Sequence, residues 1–276
     1  MPKKIHPYVP TRPVRSIAIS AAVLLVAGCA TSSGGPSSKQ VSSGSLVKAA
    51  DQTRDSGDLA AAALLYERAE QLDPKDVDPP LQLGNIYAQV GAPRQAVAAY
   101  QQALSIDPKN AAALRGLANA ELQLGDPQAA ITTLHSAAAI QSDWRIQNSL
   151  GVAYDMTGDF QSAQDAYRQG LTLAPENLQL TSNLGLSLAL SGRFDEALPM
   201  LEKAAHDPAA TARIRQNLAL AYGLAGDDQK AAATAAIDLD PAKVQANLGY
   251  CEYLRLLHDR KALAAAVGAH PAETTQ

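Results

Sequence analysis

Two hydrophobic patterns divide the chain. From Ile17 to Gly28 a run of 12 residues is apolar or small, broken only by Ser20. From about residue 46 the apolar positions instead recur at three- and four-residue intervals, the spacing that lines one face of a helix. This second pattern is itself periodic. Gly57, Gly91, Gly125, Gly158, Gly192 and Gly226 are separated by 34, 34, 33, 34 and 34 residues. Five residues after each comes Ala62, Ala96, Ala130, Ala163, Ala197 or Ala231, and eight before each comes Ala49, Leu83, Leu117, Leu150, Leu184 or Leu218. Pro74, Pro108, Ser142 and Pro175 follow the first four glycines by 17 residues.

The spacing predicts two amphipathic helices per unit, the turn Gly ending the first and Pro stopping the second. Small residues at the crossing points (Ala50, Gly84, Ala118, Gly151, Gly185, Ala219) let the backbones approach. A unit of this size cannot bury its apolar face alone, so successive units stack into one quasi-linear core. Composition agrees: 47% of residues are hydrophobic but only 4% aromatic, as expected where Ala fills close contacts. The third unit is one residue short and carries Ser142 in place of Pro, which predicts a shifted joint at Trp144. The sixth has Ala235 and Asp238 where Tyr and Ala usually sit, which predicts a short, exposed second helix. Beyond it, residues 242–269 read as capping helices, one over Val244 to Leu257 and a shorter one in "RKALAAAVGA". Residues 270–276 read as a frayed tail.

The stretch "LGNIYAQVGAPRQAVAAYQQALSIDPKN", Leu83 to Asn110, resembles the tetratricopeptide repeat (TPR), with its L-G-x₂-Y, A-x₃-F/Y and closing P. The resemblance implies an all-α TPR solenoid, a right-handed superhelix of about six helix-turn-helix repeats over residues 46–241. In that family the first helices line a concave groove, positions 9 and 13 of each pointing into it. Here those positions hold Asp51 and Asp55, Asn85 and Gln89, Asn119 and Gln123 in the first three units. They hold Val152 and Met156, Leu186 and Leu190, Leu220 and Leu224 in the last three. The groove thus changes from polar to apolar at the fourth unit. One reading is that the apolar half accepts an amphipathic helix or extended apolar segment of a partner protein, with Asn148, Asn183 and Asn217 hydrogen-bonding it. The other is that the chain's own helix from Val244 to Leu257 folds back and covers it. The carboxylate-gripping clamp of some TPR domains is incomplete: Arg115 and Asn119 match its first pair, but Ser149 replaces the next Asn, and Gln179 and Asn183 replace two cations.

The early apolar run is a separate matter. Twelve helical residues cover about 18 Å, short of a hydrocarbon core of about 30 Å. Lys3, Lys4, Arg12 and Arg15 precede the run without an acidic residue, as in an export signal over residues 1–28. Val26-Ala27-Gly28-Cys29 resembles the lipobox of bacterial lipoproteins, which implies cleavage before Cys29 and acyl chains such as palmitate on it. Two or more chains anchor a protein stably. Ala30, where Asp would signal retention, implies by the same resemblance the outer membrane, facing the periplasm. Residues 29–45 then form the lipidated Cys and a flexible Ser/Gly tether; its 16 residues from Ala30 to Ser45 span about 20–24 Å.

Charge and chemistry narrow the class. Removing the four basic residues before Cys29 from the total of 23 leaves 19 against 27 acidic ones, a net charge of −8. That argues against nucleic acid. Cys251 is the one cysteine left besides Cys29, and its helical surroundings suit a buried structural thiol. The five histidines lack the i, i+4 pairing of a zinc helix, and no phosphate loop or nucleophile elbow occurs. The expectation is a non-enzyme with no metal and no cofactor apart from the lipid on Cys29.

The last third is the most specific. Asn217, Leu218, Asp238, Leu239, Pro241, Val244, Asn247, Leu248, Tyr250, Leu254 and Arg255 resemble the TadD family, TPR lipoproteins of tight-adherence (Flp, type IVb) pilus assembly. The resemblance implies an assembly factor whose partner is a secretin or another pilus-assembly component, including a pilotin role for the outer-membrane secretin. The alternatives are a type IVa pilus pilotin, or a scaffold lipoprotein in envelope biogenesis or exopolysaccharide export.

Overall fold

A computed structural model describes residues 42–257 and 259–269; Cys29, the segment before it and the C-terminal tail lie outside the described residues. All regular structure in the described part is helical. Six pairs come first: α1 (Ser43–Asp55) with α2 (Leu59–Leu72), α3 (Asp78–Gln89) with α4 (Pro93–Ile106), and α5 (Ala111–Gln123) with α6 (Pro127–Ile140). They continue as α7 (Trp144–Thr157) with α8 (Phe160–Leu173), α9 (Leu178–Leu190) with α10 (Phe194–Ala205), and α11 (Ala212–Ala225) with α12 (Asp228–Ala235). Two more helices follow, α13 (Pro241–Arg255) and α14 (Arg260–Ala269). Each helix from α1 to α12 packs on the next, and from α3 to α11 the first helices of neighbouring pairs also touch, which makes a solenoid.

Local chemistry sets the period. The six turn glycines all adopt positive φ, from 71° to 91°, a region that costs other residues energy. In four turns an Asp follows the Gly and caps the second helix: Asp58, Asp126, Asp159 and Asp227 each accept a hydrogen bond from the N–H three residues on. At the far end of α2 and α4, Asp73 and Asp107 stand just before Pro and accept from the N–H of Lys75 and Lys109. Asn110 and Asn177 then cap α5 and α9.

The core is a seam of alanines with tyrosine rings set between helices. Ala62, Ala96, Ala130, Ala163 and Ala197 are fully buried. The ring of Tyr100 sits so close to α3 and α5 that a Cβ added at Gly84 or Gly116 would come within 2.5 or 2.4 Å of it. Tyr167 covers Gly151 in the same way. Each hydroxyl reaches a polar partner on a neighbouring helix: Tyr66 donates to Asp51, Tyr100 to Asn85, Tyr167 to Asp155 and Tyr222 to Glu202.

The C-terminal end departs from the repeat. With only eight residues, α12 stops early, and the turn after it is held by Arg215, whose guanidinium makes two hydrogen bonds to Asp238 at 2.6 and 2.8 Å. The shortened α12 leaves part of α11 open. There α13 lies down, packing Val244 on Ala219 and Ala235 and setting the Cys251 sulfur over Gly223. Arg255 fastens its end, donating to the carbonyl of Gly223 and to Asp228. By contrast, α14 leaves the stack and packs against α7.

Candidate functional site

The groove lined by α1, α3, α5, α7, α9 and α11 is the candidate site, and its two halves differ in chemistry. In the first, the side chains are polar and partly engaged with one another. Asp51 accepts from Tyr66 and pairs with Arg54 at 3.2 Å, Asp55 pairs with the same Arg54 at 3.1 Å, and Asn85 donates to Gln82. Asn119 accepts from Ser149 at 2.8 Å, while Gln89 and Gln123 are exposed.

In the second half, Val152 and Met156 on α7, Leu186 and Leu190 on α9 and Leu220 on α11 line one concavity of about 380 Å³. Leu224 sits beside them in an apolar cluster with Phe160, Leu186 and Leu190. The asparagines are partly engaged within the protein: Asn183 donates to Asn148 at 2.8 Å and Asn217 to Ser182 at 3.0 Å. Asn183 and Asn217 border the concavity, while Asn148 meets it through Asn183.

Part of this surface is covered by the chain itself, the segment from Val244 to Leu257 closing only one end of it. That segment is held on α11 and α12 as α13, and its residues Val244, Leu248 and Cys251 form the end wall of the concavity. The cover is α14, whose Leu263, Ala264 and Val267 pack on Phe160, Leu186, Leu190 and Leu224. The reason is the hydrophobic effect: aligned apolar side chains on a concave face gain by removing area from water, and α14 brings the matching stripe.

Sequence reasoning overlooked one residue of the site, Asp155. It lies on α7 between Val152 and Met156 and borders the concavity. Tyr167 donates to one of its oxygens at 2.9 Å and Ser187 to the other at 2.6 Å. Burial pushes this carboxyl up to about 7, against the lowering effect of the two hydroxyls. A signal existed in the repeat alignment. Three residues before the turn Gly the other units carry Arg54, Ala88, Leu122, Ala189 and Gly223, so an acid in the fourth unit is out of pattern. Arg213, exposed on α11, is a further charged group at the rim.

Among the described residues no group of three His, Cys, Asp or Glu side chains is placed to hold a metal, and no helix is long and apolar enough to cross a membrane. Cys251 is buried in α13, and burial raises its thiol to about 11, far from the range of a reactive cysteine.

Comparison with known proteins defines the class. Two tetratricopeptide-repeat models match residues 87–150 and 148–212. The chain carries TPR repeats, and its consecutive helix pairs stack as a TPR solenoid. A curated relative, Protein POLLENLESS 3-LIKE 2 of Arabidopsis thaliana, is 40% identical over 63 residues, which are 23% of this chain and 14% of that protein. The match is thus confined to a small part of that relative. Among solved structures, MamA protein aligns with a TM-score of 0.54 at 27% identity, covering 60% of this chain and 91% of MamA. PilW, a widely conserved type IV pilus biogenesis factor, aligns with a TM-score of 0.64 at 21% identity, covering 76% of this chain and 95% of PilW. PilF of Pseudomonas aeruginosa aligns at 0.61 and 16%, covering 74% and 95%.

Proposed function

We infer that the protein is a lipid-anchored TPR adaptor of the outer membrane's periplasmic face that serves tight-adherence (Flp, type IVb) pilus biogenesis. Its groove holds segments of a partner, a secretin or another assembly component, and its role toward the secretin is that of a pilotin. The observation that carries this reading is the apolar half of the groove, where Val152, Met156, Leu186, Leu190 and Leu220 share one concavity. Because α1 begins at Ser43 and not after Ser45, the tether is shorter than its 16-residue reading, about 18–22 Å, and a concave apolar face on it can hold an aggregation-prone segment beside the bilayer. The lipobox-like Val26-Ala27-Gly28-Cys29 supports the anchor, and the TadD-like residues from Asp238 to Arg255 support the pilus type. Acyl chains on Cys29 are the one covalently bound group in this reading.

A second reading, a type IVa pilus pilotin, is favoured by the fold shared with PilW and PilF along 95% of each of those chains. Crosslinking and pull-down from membranes separates them. The type IVb reading expects the tight-adherence secretin among the captured proteins and fewer secretin multimers in a Cys29→Ser strain. Unchanged secretin levels and multimers after deletion of the protein would refute any pilotin role.

A further inference from the structure

The seat of α14 is separable from the rest of the C-terminal end. On one side of the joint the chain is locked: Leu254 and Cys251 are buried, and Arg255 is tied to Gly223 and Asp228. On the other side α14 is a separate piece. Helical structure breaks at Leu257 and Asp259, and the preceding Leu256 is 67% exposed. Departure of α14 therefore leaves every hydrogen bond named for α13 in place.

As an occupant, α14 fills its seat only in part. It has ten residues, "RKALAAAVGA", five of them Ala and one Gly. A helix this short is marginal in water on its own, so it exists by virtue of the surface it lies on. It also fills that surface incompletely. The concavity of about 380 Å³ is bordered by Ala264 and Val267 of α14 on one side and by Leu186, Leu220, Val244 and Leu248 on the other. A side chain larger than Ala264 would reach into it, and each methylene so buried strengthens binding about fourfold.

We propose that the apolar half of the groove is a helix-binding site held by α14 as an internal occupant. Its external ligand is a short amphipathic helix of a partner protein that repeats the Leu263, Ala264, Val267 stripe with a larger apolar side chain at the middle position. This deepens the reading of the groove as a partner site: it names the shape of the segment and the step, displacement of α14, that admits it.

The test uses the purified full chain and a fluorescent synthetic peptide with the sequence of residues 257–270. A chain carrying Leu263→Asp and Val267→Asp, which weakens its own α14, binds the peptide at least tenfold more tightly than the wild-type chain does. Adding Leu186→Asp to that chain removes the binding. A peptide with Ala264→Leu binds at least fivefold more tightly than the parent peptide. Equal affinity for the wild-type and weakened chains, binding that survives Leu186→Asp, or no gain from the larger side chain overturns the proposal. Should the weakened chain lose its helical circular dichroism, hydrogen exchange on the wild-type chain decides. Amides of α14 exchanging at least 100-fold faster than those of α9 support a displaceable occupant, and equal protection of the two helices overturns it. None of these outcomes involves a pilus component, so peptide binding without a secretin partner in cells counts against the pilus reading alone.

Discussion

Tyr167 donates its hydroxyl hydrogen to Oδ2 of Asp155 across 2.9 Å, joining α8 to the groove-facing helix α7. Ser187 donates from α9 to the other carboxylate oxygen. Three helices of adjacent units therefore converge on one acid whose proton is held up to about 7 by burial. Because the folded protein binds this proton more tightly than the unfolded chain does, the contribution to stability is fully present below about pH 4 and is lost as pH rises through about 7. Thermal denaturation should show a wild-type melting temperature that falls from pH 5 to pH 8 relative to an Asp155→Asn chain, with the variant the more stable of the two at pH 8. A wild-type protein that gains on the variant over that range would contradict the assignment.

Gly151 and Gly249 each follow a Leu in a Leu-Gly pair within a helix, yet they have opposite reasons to be glycine. A Cβ on Gly151 would lie 2.3 Å from the Tyr167 ring, whereas nothing lies within 4 Å of one on Gly249. Gly151→Ala should cost about 1–3 kcal/mol through overpacking. Gly249→Ala should stabilise by about 0.5–1 kcal/mol through helix propensity. Urea denaturation of the two single variants reads both signs.

The pair of Arg215 with Asp238 has side chains only 23% and 12% exposed, and its two short hydrogen bonds close the turn after α12. Removing one partner leaves the other half-buried and unmatched. Arg215→Met should cost about 1–3 kcal/mol in chemical denaturation. Arg168→Met, which breaks an exposed pair with Asp165, should stay within about 0.5 kcal/mol. Equal effects would remove the special role given to this joint.

Cys251 reports on the docking of α13. In a Cys29→Ser chain it is the single thiol, 3% exposed and raised to about 11. Its reaction with a thiol reagent at pH 7.5 should be about 100-fold or more slower than that of free cysteine. Gly223→Ala, whose Cβ would fall 2.3 Å from the sulfur, should speed it by lifting α13 off α11. Rapid labelling of the parent chain would show that α13 is not held.

Much of the fold was legible in the sequence because its determinants are local. The 34-residue Gly period corresponds to six positive-φ turns, the Asp-Pro pairs to helix ends, and the altered sixth unit to the eight-residue α12. What was not legible depends on contacts far apart in the chain. Nothing in "RKALAAAVGA" distinguishes a helix that caps a stack from one that crosses to α7, since an Ala-rich stripe fits either surface. The asparagines beside the groove suit donation to a partner on sequence alone, but whether Asn183 meets Asn148, 35 residues away, depends on how two units stack. Asp155 has the same origin: its burial comes from Tyr167 and Ser187 on two other helices. The TadD-like residues turn out to do structural work at the closing end, Asp238 by pairing with Arg215 and Arg255 by pairing with Asp228.

In the proposed function the apolar half of the groove meets a pilus-assembly partner at the membrane. That contact is tested most directly by photocrosslinking in cells from a photoreactive residue placed at Leu220, which borders the concavity on α11. The expected product is an adduct with an outer-membrane assembly protein, the secretin first among them, that disappears in a Cys29→Ser strain and is absent when the probe stands at the exposed Leu64 on α2. Adducts confined to the protein's own chain, or the same adducts from Leu64, would contradict the proposed function.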